Sequence, residues 1–163
     1  VREKEQQHIF ETWLAQCQAV IFKVVRAYAF TKDGQDDLFQ EITIQIWNSI
    51  PNFRQESSVT TWVYRISLNT AIKWIRKERK HPPPETLDKV EHVLQENRLP
   101  MDERLAWLYE EIYKLDEIDR SVTLLMLDNF SYKEMAEILG ISESNVGVKI
   151  NRIKKQLISK LKK

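Results

Sequence analysis

The sequence predicts an all-α protein made of two small helical domains joined by a proline-rich, acidic linker. Three observations carry that expectation. Apolar residues recur three and four positions apart through segment after segment, the period of one helix face, and seldom alternate as a strand requires. The 163 residues include only three glycines, so the tight turns of a sheet protein are scarce. Midway, His81-Pro82-Pro83-Pro84 stops the helical pattern, because proline fixes φ and lacks the backbone donor that a helix interior needs.

Residues 3–30 read as the first helix, with Ile9, Trp13, Leu14, Cys17, Ile21, Val24, Val25 and Tyr28 forming a wide apolar face. Thr31-Lys32-Asp33-Gly34 is expected to break it. A second helix, about Gln35 to Ile50, packs Leu38, Phe39, Ile42, Ile46 and Trp47. Its outward side holds Asp36, Asp37, Gln40, Glu41 and Gln45, with the acids near the N-terminus, where the helix dipole favours them. Pro51 ends it, and a polar loop interrupted by Phe53 follows. The third helix, about Ser58 to Lys80, carries two stripes. Val63, Ile66, Thr70 and Trp74 sit at core spacing, while Trp62, Arg65, Asn69, Lys73 and Arg76 form a second line. An aromatic heading a basic and amide stripe can stack on a base while the cations hold phosphates. The same residues also read as a core tryptophan beside a solvated face.

The expected domains are residues 1–81 and 102–163, with a linker over 82–101. Within the linker, Leu87, Val90, Val93 and Leu94 have the spacing of a short helix laid on a partner. Periodicity returns with Leu105, Leu108, Ile112 and Leu115, then Val122, Leu125 and Met126, and ends in SYKEMAEILGISESNVGVKINRIKKQL. There Ser131 and Glu134 form a capping box, so a helix starts at Tyr132. Met135, Ala136, Ile138 and Leu139 give it an apolar side, Gly140 supplies the left-handed residue that ends it, and Ile141 plugs the turn. Ser142 caps a second helix whose stripe is Val146, Ile150, Ile153, Leu157 and Leu161. The opposite side carries Ser144, Val148, Asn151, Arg152 and Lys155, flanked by Lys149 and Lys154. A short helix, a glycine turn and a longer helix with a basic face make a helix-turn-helix that reads DNA, and a four-helix C-terminal unit around it. A helical hairpin with a solvated lysine face is the plainer alternative.

The net charge of +1 hides a segregation of charge. Residues 1–80 carry 12 Lys/Arg against 9 Asp/Glu, residues 81–119 carry 4 against 11, and residues 120–163 carry 9 against 4. Two basic ends around an acidic middle suit two nucleic-acid-facing modules and a connector that avoids DNA. No apolar run reaches membrane-spanning length and no signal-peptide pattern is present, so neither membrane insertion nor export is expected. The single cysteine, Cys17, cannot form an internal disulfide, which fits a reducing cytoplasm. A start at Val1 rather than Met predicts that a few native residues precede it. His8, His81, His92 and Cys17 have no ligand spacing, and Asp36, Asp37 and Glu41 lack a partnered base, nucleophile or phosphate loop. No metal, cofactor or catalysis is expected.

Taken together, these residues resemble the extracytoplasmic-function sigma factors, the minimal two-domain specificity subunits of bacterial RNA polymerase. Asp36-Asp37-Leu38-Phe39-Gln40-Glu41 followed by Ile46-Trp47 resembles the family's helix that docks on the polymerase clamp. Phe53-Arg54 and the later W-x-x-R-x-x-x-N of Trp62, Arg65 and Asn69 resemble its promoter-melting segment. The helix-turn-helix resembles its −35-reading module. The family usually has a proline just before its second C-terminal helix, where this chain has Leu115-Asp116-Glu117, and often a basic residue where this chain has Gly147.

The resemblance implies core RNA polymerase and promoter DNA as partners, double-stranded at −35 and single-stranded at −10, and an anti-sigma protein besides. It implies that Asp36, Asp37, Gln40 and Glu41 bind polymerase. The loop with Phe53, Arg54, Ser57 and Ser58 would hold a flipped −10 base, with Trp62, Arg65, Asn69 and Lys73 at the fork. Unstacking a base costs a few kcal/mol, and stacking it on an aromatic returns about 1–3 kcal/mol. At −35 the implied contacts are Ser144, Asn145, Val148, Lys149, Asn151, Arg152 and Lys155. Asn151 and Arg152 suit base edges, Val148 a thymine methyl, and Lys149, Lys154 and Lys155 phosphates. The alternative function is a helix-turn-helix regulator with an N-terminal sensing or dimerisation domain.

Overall fold

Hydrophobic faces at helical spacing dictate the architecture, and in the computed structural model all regular structure among the described residues, 2–80 and 102–161, is helical. The chain divides into two units. The first holds α1 (Glu3–Tyr28), α2 (Lys32–Ser49), a 3-10 turn (Ile50–Asn52) and α3 (Val59–Lys80). The second holds α4 (Glu103–Tyr113), α5 (Glu117–Leu127), α6 (Tyr132–Leu139) and α7 (Glu143–Leu161). The expected linker, with its apolar Leu87, Val90, Val93 and Leu94, lies outside the described residues.

In the first unit α1, α2 and α3 all pack on one another. Trp13, Cys17, Ile21, Val24, Val25 and Tyr28 of α1 meet Leu38, Ile42 and Ile46 of α2 in the core. α1 is kinked at Cys17, whose φ of −110° and ψ of 15° leave the helical region. Burial pushes the Cys17 thiol's pKa up, against a hydrogen bond with Thr60 that draws it down.

Two expectations for this unit need correction. The break between α1 and α2 falls at residues 29–31, earlier than expected, and Lys32–Gly34 already belong to α2. The Thr31 hydroxyl accepts from the Gly34 amide at 3.0 Å, an N-cap that starts the helix at Lys32. A Cβ on Gly34 would stand 2.9 Å from that hydroxyl, which explains a glycine inside the first turn. The core face of α3 is also rotated from its expected position. Val63, Tyr64, Leu68, Ala71, Ile72 and Ile75 are buried, whereas Ile66, Thr70 and Trp74 are only half-buried. α3 packs against both α1 and α2, so it needs a wide stripe, and small Ser67 and Ala71 let the neighbouring backbones approach. The buried Ser67 hydroxyl has no hydrogen-bond partner.

In the second unit Ile112, Val122, Leu124, Leu125, Met135, Ile138, Val146, Ile150 and Ile153 form the core. Asp116 caps α5 by accepting from the Asp119 amide at 2.8 Å. α5 ends with Asn129 at φ 64°, and the Phe130 amide reaches back to the Leu125 carbonyl at 3.1 Å. The apolar stripe of α7 stops earlier than expected. Leu157 is half-buried and Leu161 is 67% exposed, because α6 spans only eight residues and α5 eleven. The far end of α7 is held electrostatically, by Lys160 on the buried Glu111 of α4. Burial alone would raise the Glu111 carboxyl's pKa, but Lys160 and Lys114 outweigh it and hold it below the usual carboxylate range.

Candidate nucleic-acid interface

The helix-turn-helix is built by local chemistry. The Ser131 hydroxyl accepts from the Glu134 amide at 3.1 Å while the Glu134 carboxylate accepts from the Ser131 amide at 2.9 Å, closing the capping box. Gly140 turns the chain at φ 70°, and its amide and that of Ile141 both donate to the Ala136 carbonyl. The Ser142 hydroxyl then accepts from the Asn145 amide at 3.0 Å and starts α7. With Val146, Ile150 and Ile153 buried, the helix exposes Ser144, Asn145, Val148, Asn151, Arg152, Lys154 and Lys155. Val148, 64% exposed, is an apolar residue set among polar ones, as contact with a thymine methyl requires. Gly147 faces Tyr132, whose ring a Cβ would meet at 3.4 Å, so a long basic side chain there would have to pass that ring.

Two of the expected DNA contacts have an internal partner that the sequence reading missed. Asp119 of α5, its side chain 8% exposed, accepts from Lys149 Nζ at 3.2 Å and from Arg152 Nη2 at 2.5 Å. The Lys149 side chain is 17% exposed and therefore held inside the unit, while that of Arg152 remains 49% exposed. In sequence, Asp119 looks like any acid in a helix's first turn. No local signal marks a partner 30 residues away.

In the first unit, the expected −10 residues run from the loop before α3 (Phe53, Arg54, Ser57, Ser58) along the helix to Lys73. Phe53 packs between two tryptophans, 5.1 Å from Trp13 edge-on and 5.3 Å from Trp62 in a tilted contact. The Trp62 indole N–H donates to the Ser49 hydroxyl at 3.1 Å, and that hydroxyl donates to the Ile46 carbonyl at 2.7 Å. Trp62 and Phe53 are thus fixed by packing yet half-exposed, neither core nor free. Arg54, Ser57, Arg65 and Lys73 are exposed and Asn69 is half-buried. Ser58 serves as the cap of α3, accepting from the Thr61 amide at 3.1 Å. A rigid aromatic edge followed by cations and an amide along one helix can hold unpaired bases without reorganising.

The acidic side of α2 is exposed at Asp36, Asp37, Gln40 and Glu41. Asp37 has an internal partner too, since its carboxylate accepts from the Trp74 indole at 2.8 Å. Ile44, one turn beyond Gln40 and Glu41, is 51% exposed and adds an apolar element that the sequence reading did not single out.

Both halves of the chain find matches among known proteins. Residues 13–81 match Sigma-70 region 2, and residues 105–157 match Sigma-70 region 4. The chain is 34% identical over 128 residues to RNA polymerase sigma factor YlaC of Bacillus subtilis, spanning 74% of this chain and 73% of that protein. It is 30% identical over 138 residues to the ECF RNA polymerase sigma-E factor of Haemophilus influenzae, spanning 77% and 73%. In fold it is similar to the sigma factor RpoE of Bartonella quintana, solved with the anti-sigma factor NepR, at a TM-score of 0.73. That likeness has 20% identity and covers 94% of this chain and 96% of the other. An isolated helix-turn-helix regulator would match only in its C-terminal half; with region 2 and region 4 both matched in one chain, the protein belongs to the extracytoplasmic-function RNA polymerase sigma factors.

Proposed function

We propose that this sigma factor divides its work among three faces. The α2 face of Asp36, Asp37, Gln40 and Glu41, with Ile44 beside it, docks on core RNA polymerase. The edge formed by Phe53, Arg54, Ser57, Trp62, Arg65, Asn69 and Lys73 captures single-stranded −10 DNA, with Ser58 shaping the loop as the α3 cap. On α7, Ser144, Asn145, Val148, Asn151 and Arg152 read −35 base edges while Lys155 holds phosphate. The observation that carries this reading is the half-exposed, hydrogen-bonded Trp62 at the head of a basic stripe, in the same chain as a helix-turn-helix. Such a protein opens promoter DNA by binding energy alone, with no catalytic chemistry, and works in the cytoplasm, where its template is.

An anti-sigma protein is the natural second partner. The reading is supported by two structures of similar fold, RpoE with NepR and CnrH with the cytosolic domain of CnrY, the latter at a TM-score of 0.66. Run-off transcription with core polymerase on a randomised promoter library tests the main reading. The promoters that fire, each identified by a barcode in its transcribed region, should share one −35 and one −10 sequence. No transcription above that of core polymerase alone would refute it.

A further inference from the structure

Two cations of the DNA-facing helix converge on one buried acid. Lys149 and Arg152 lie one turn apart on α7, and each bonds a different oxygen of the Asp119 carboxylate. The Asp119 backbone is itself fixed, its amide bound to the Asp116 cap. With both oxygens engaged and the backbone held, the carboxylate has one orientation. A buried ion pair is a weak device for stability alone, since apolar residues of similar volume serve as well. Its use lies in what it does to the more exposed partner. Lys149 is nearly enclosed and serves as counter-ion. Arg152 has five donors, commits one nitrogen to Asp119, and keeps about half its side chain in solvent.

We infer that Asp119 is a positioning residue for promoter reading: its carboxylate holds the Arg152 guanidinium in the orientation from which it meets a −35 base edge. This rests on the reading of α7 as the −35 helix. Two physical consequences favour selectivity. Pinning the planar fork before DNA arrives removes rotamer freedom that binding would otherwise have to remove. Neutralising part of the charge also weakens the attraction of Arg152 to phosphates at large, so its contribution falls more on specific than on non-specific binding.

The test uses holoenzyme reconstituted from the full chain and core polymerase, transcribing a promoter library randomised across −35, with preferences read from a barcode that each template carries in its transcribed region. Arg152→Ala should relax preference at one base pair. Asp119→Asn, which keeps the volume and removes the charge, should relax the same base pair about five- to tenfold and leave the others unchanged. Partial unfolding would lower every transcript alike and cancel in these ratios. Asp119→Glu, which keeps the charge but moves it by a methylene, should disturb that same position. An unchanged profile for both Asp119 variants, beside a relaxed one for Arg152→Ala, would reduce Asp119 to a structural counter-ion. A uniform loss across sequences for Arg152→Ala would overturn its base-reading role and the positioning role with it.

Discussion

Replacing Trp62 with alanine separates the two things its indole does. Removing a fully buried tryptophan costs about 3–5 kcal/mol. Trp62 is half-buried, so the transfer and packing loss is about 2 kcal/mol, including its contact with Phe53. Ser49 keeps its bond to the Ile46 carbonyl and loses only the indole donor. For a unit of this size, about 2 kcal/mol lowers the melting midpoint by roughly 10 °C. The protein should therefore remain folded at 25 °C, where its effect on DNA is measurable. Losing one stacked base is worth about 1–3 kcal/mol, a slowing of open-complex formation by about 5- to 150-fold. Closed-complex formation should be nearly normal, and a template with a pre-opened mismatch bubble should rescue most of the defect. Trp62→Phe should keep much of the stacking and lose about 1 kcal/mol with the hydrogen bond. The reasoning fails if the midpoint of Trp62→Ala falls far beyond that drop and the bubble template restores nothing, because the indole would then be a structural edge only.

Other outcomes follow from individual contacts. Asp37→Lys combined with Glu41→Lys should weaken pull-down of core polymerase with little loss of helical signal; undiminished pull-down would remove α2 from the docking surface. Glu111 has its pKa lowered in the folded state, so its stabilising contribution is present above the unfolded carboxyl's pKa and lost as pH falls through the folded value. The gap in melting midpoint between wild type and Glu111→Gln should accordingly be full at neutral pH and close on acidification, and a pH-independent gap would contradict the pairing. Gly147→Ala should raise stability by about 0.5–1 kcal/mol in chemical denaturation, since the new Cβ meets Tyr132 at ordinary contact distance. A destabilised variant would mean that the Tyr132 ring cannot give way.

What was legible in the sequence is what local chemistry decides. The capping box of Ser131 and Glu134, the left-handed Gly140 and the buried Val146, Ile150 and Ile153 follow from spacing alone. The structure departs from these expectations at one local cap and where an element answers to neighbours remote in sequence. Thr31–Gly34 has the composition of a break, yet the Thr31 hydroxyl and the Ala29 carbonyl, bonded by the Gln35 side chain at 3.0 Å, make it a helix start. The face of α3 turned because it serves two partners at once. In the candidate site, the solvent exposure of Arg65, Lys73, Asn151 and Lys155 matches a polar stripe read from periodicity. The Asp119, Ser49 and Trp74 contacts span 13 to 37 residues and leave no trace in spacing.

The kink in α1 gives the chain an internal clock. Cys17 is its single cysteine, buried at the break with its thiol held in the protonated, unreactive form. Thiol reagents attack the thiolate, so an alkylating dye added to native protein has one target, and it is shielded until α1 parts from its surroundings. The labelling rate, divided by that of the unfolded chain, yields the equilibrium for opening the first unit when reclosing is fast. One mass-spectrometric time course can therefore report how often that unit opens, and whether polymerase binding slows the opening, without adding any probe to the DNA-facing surfaces.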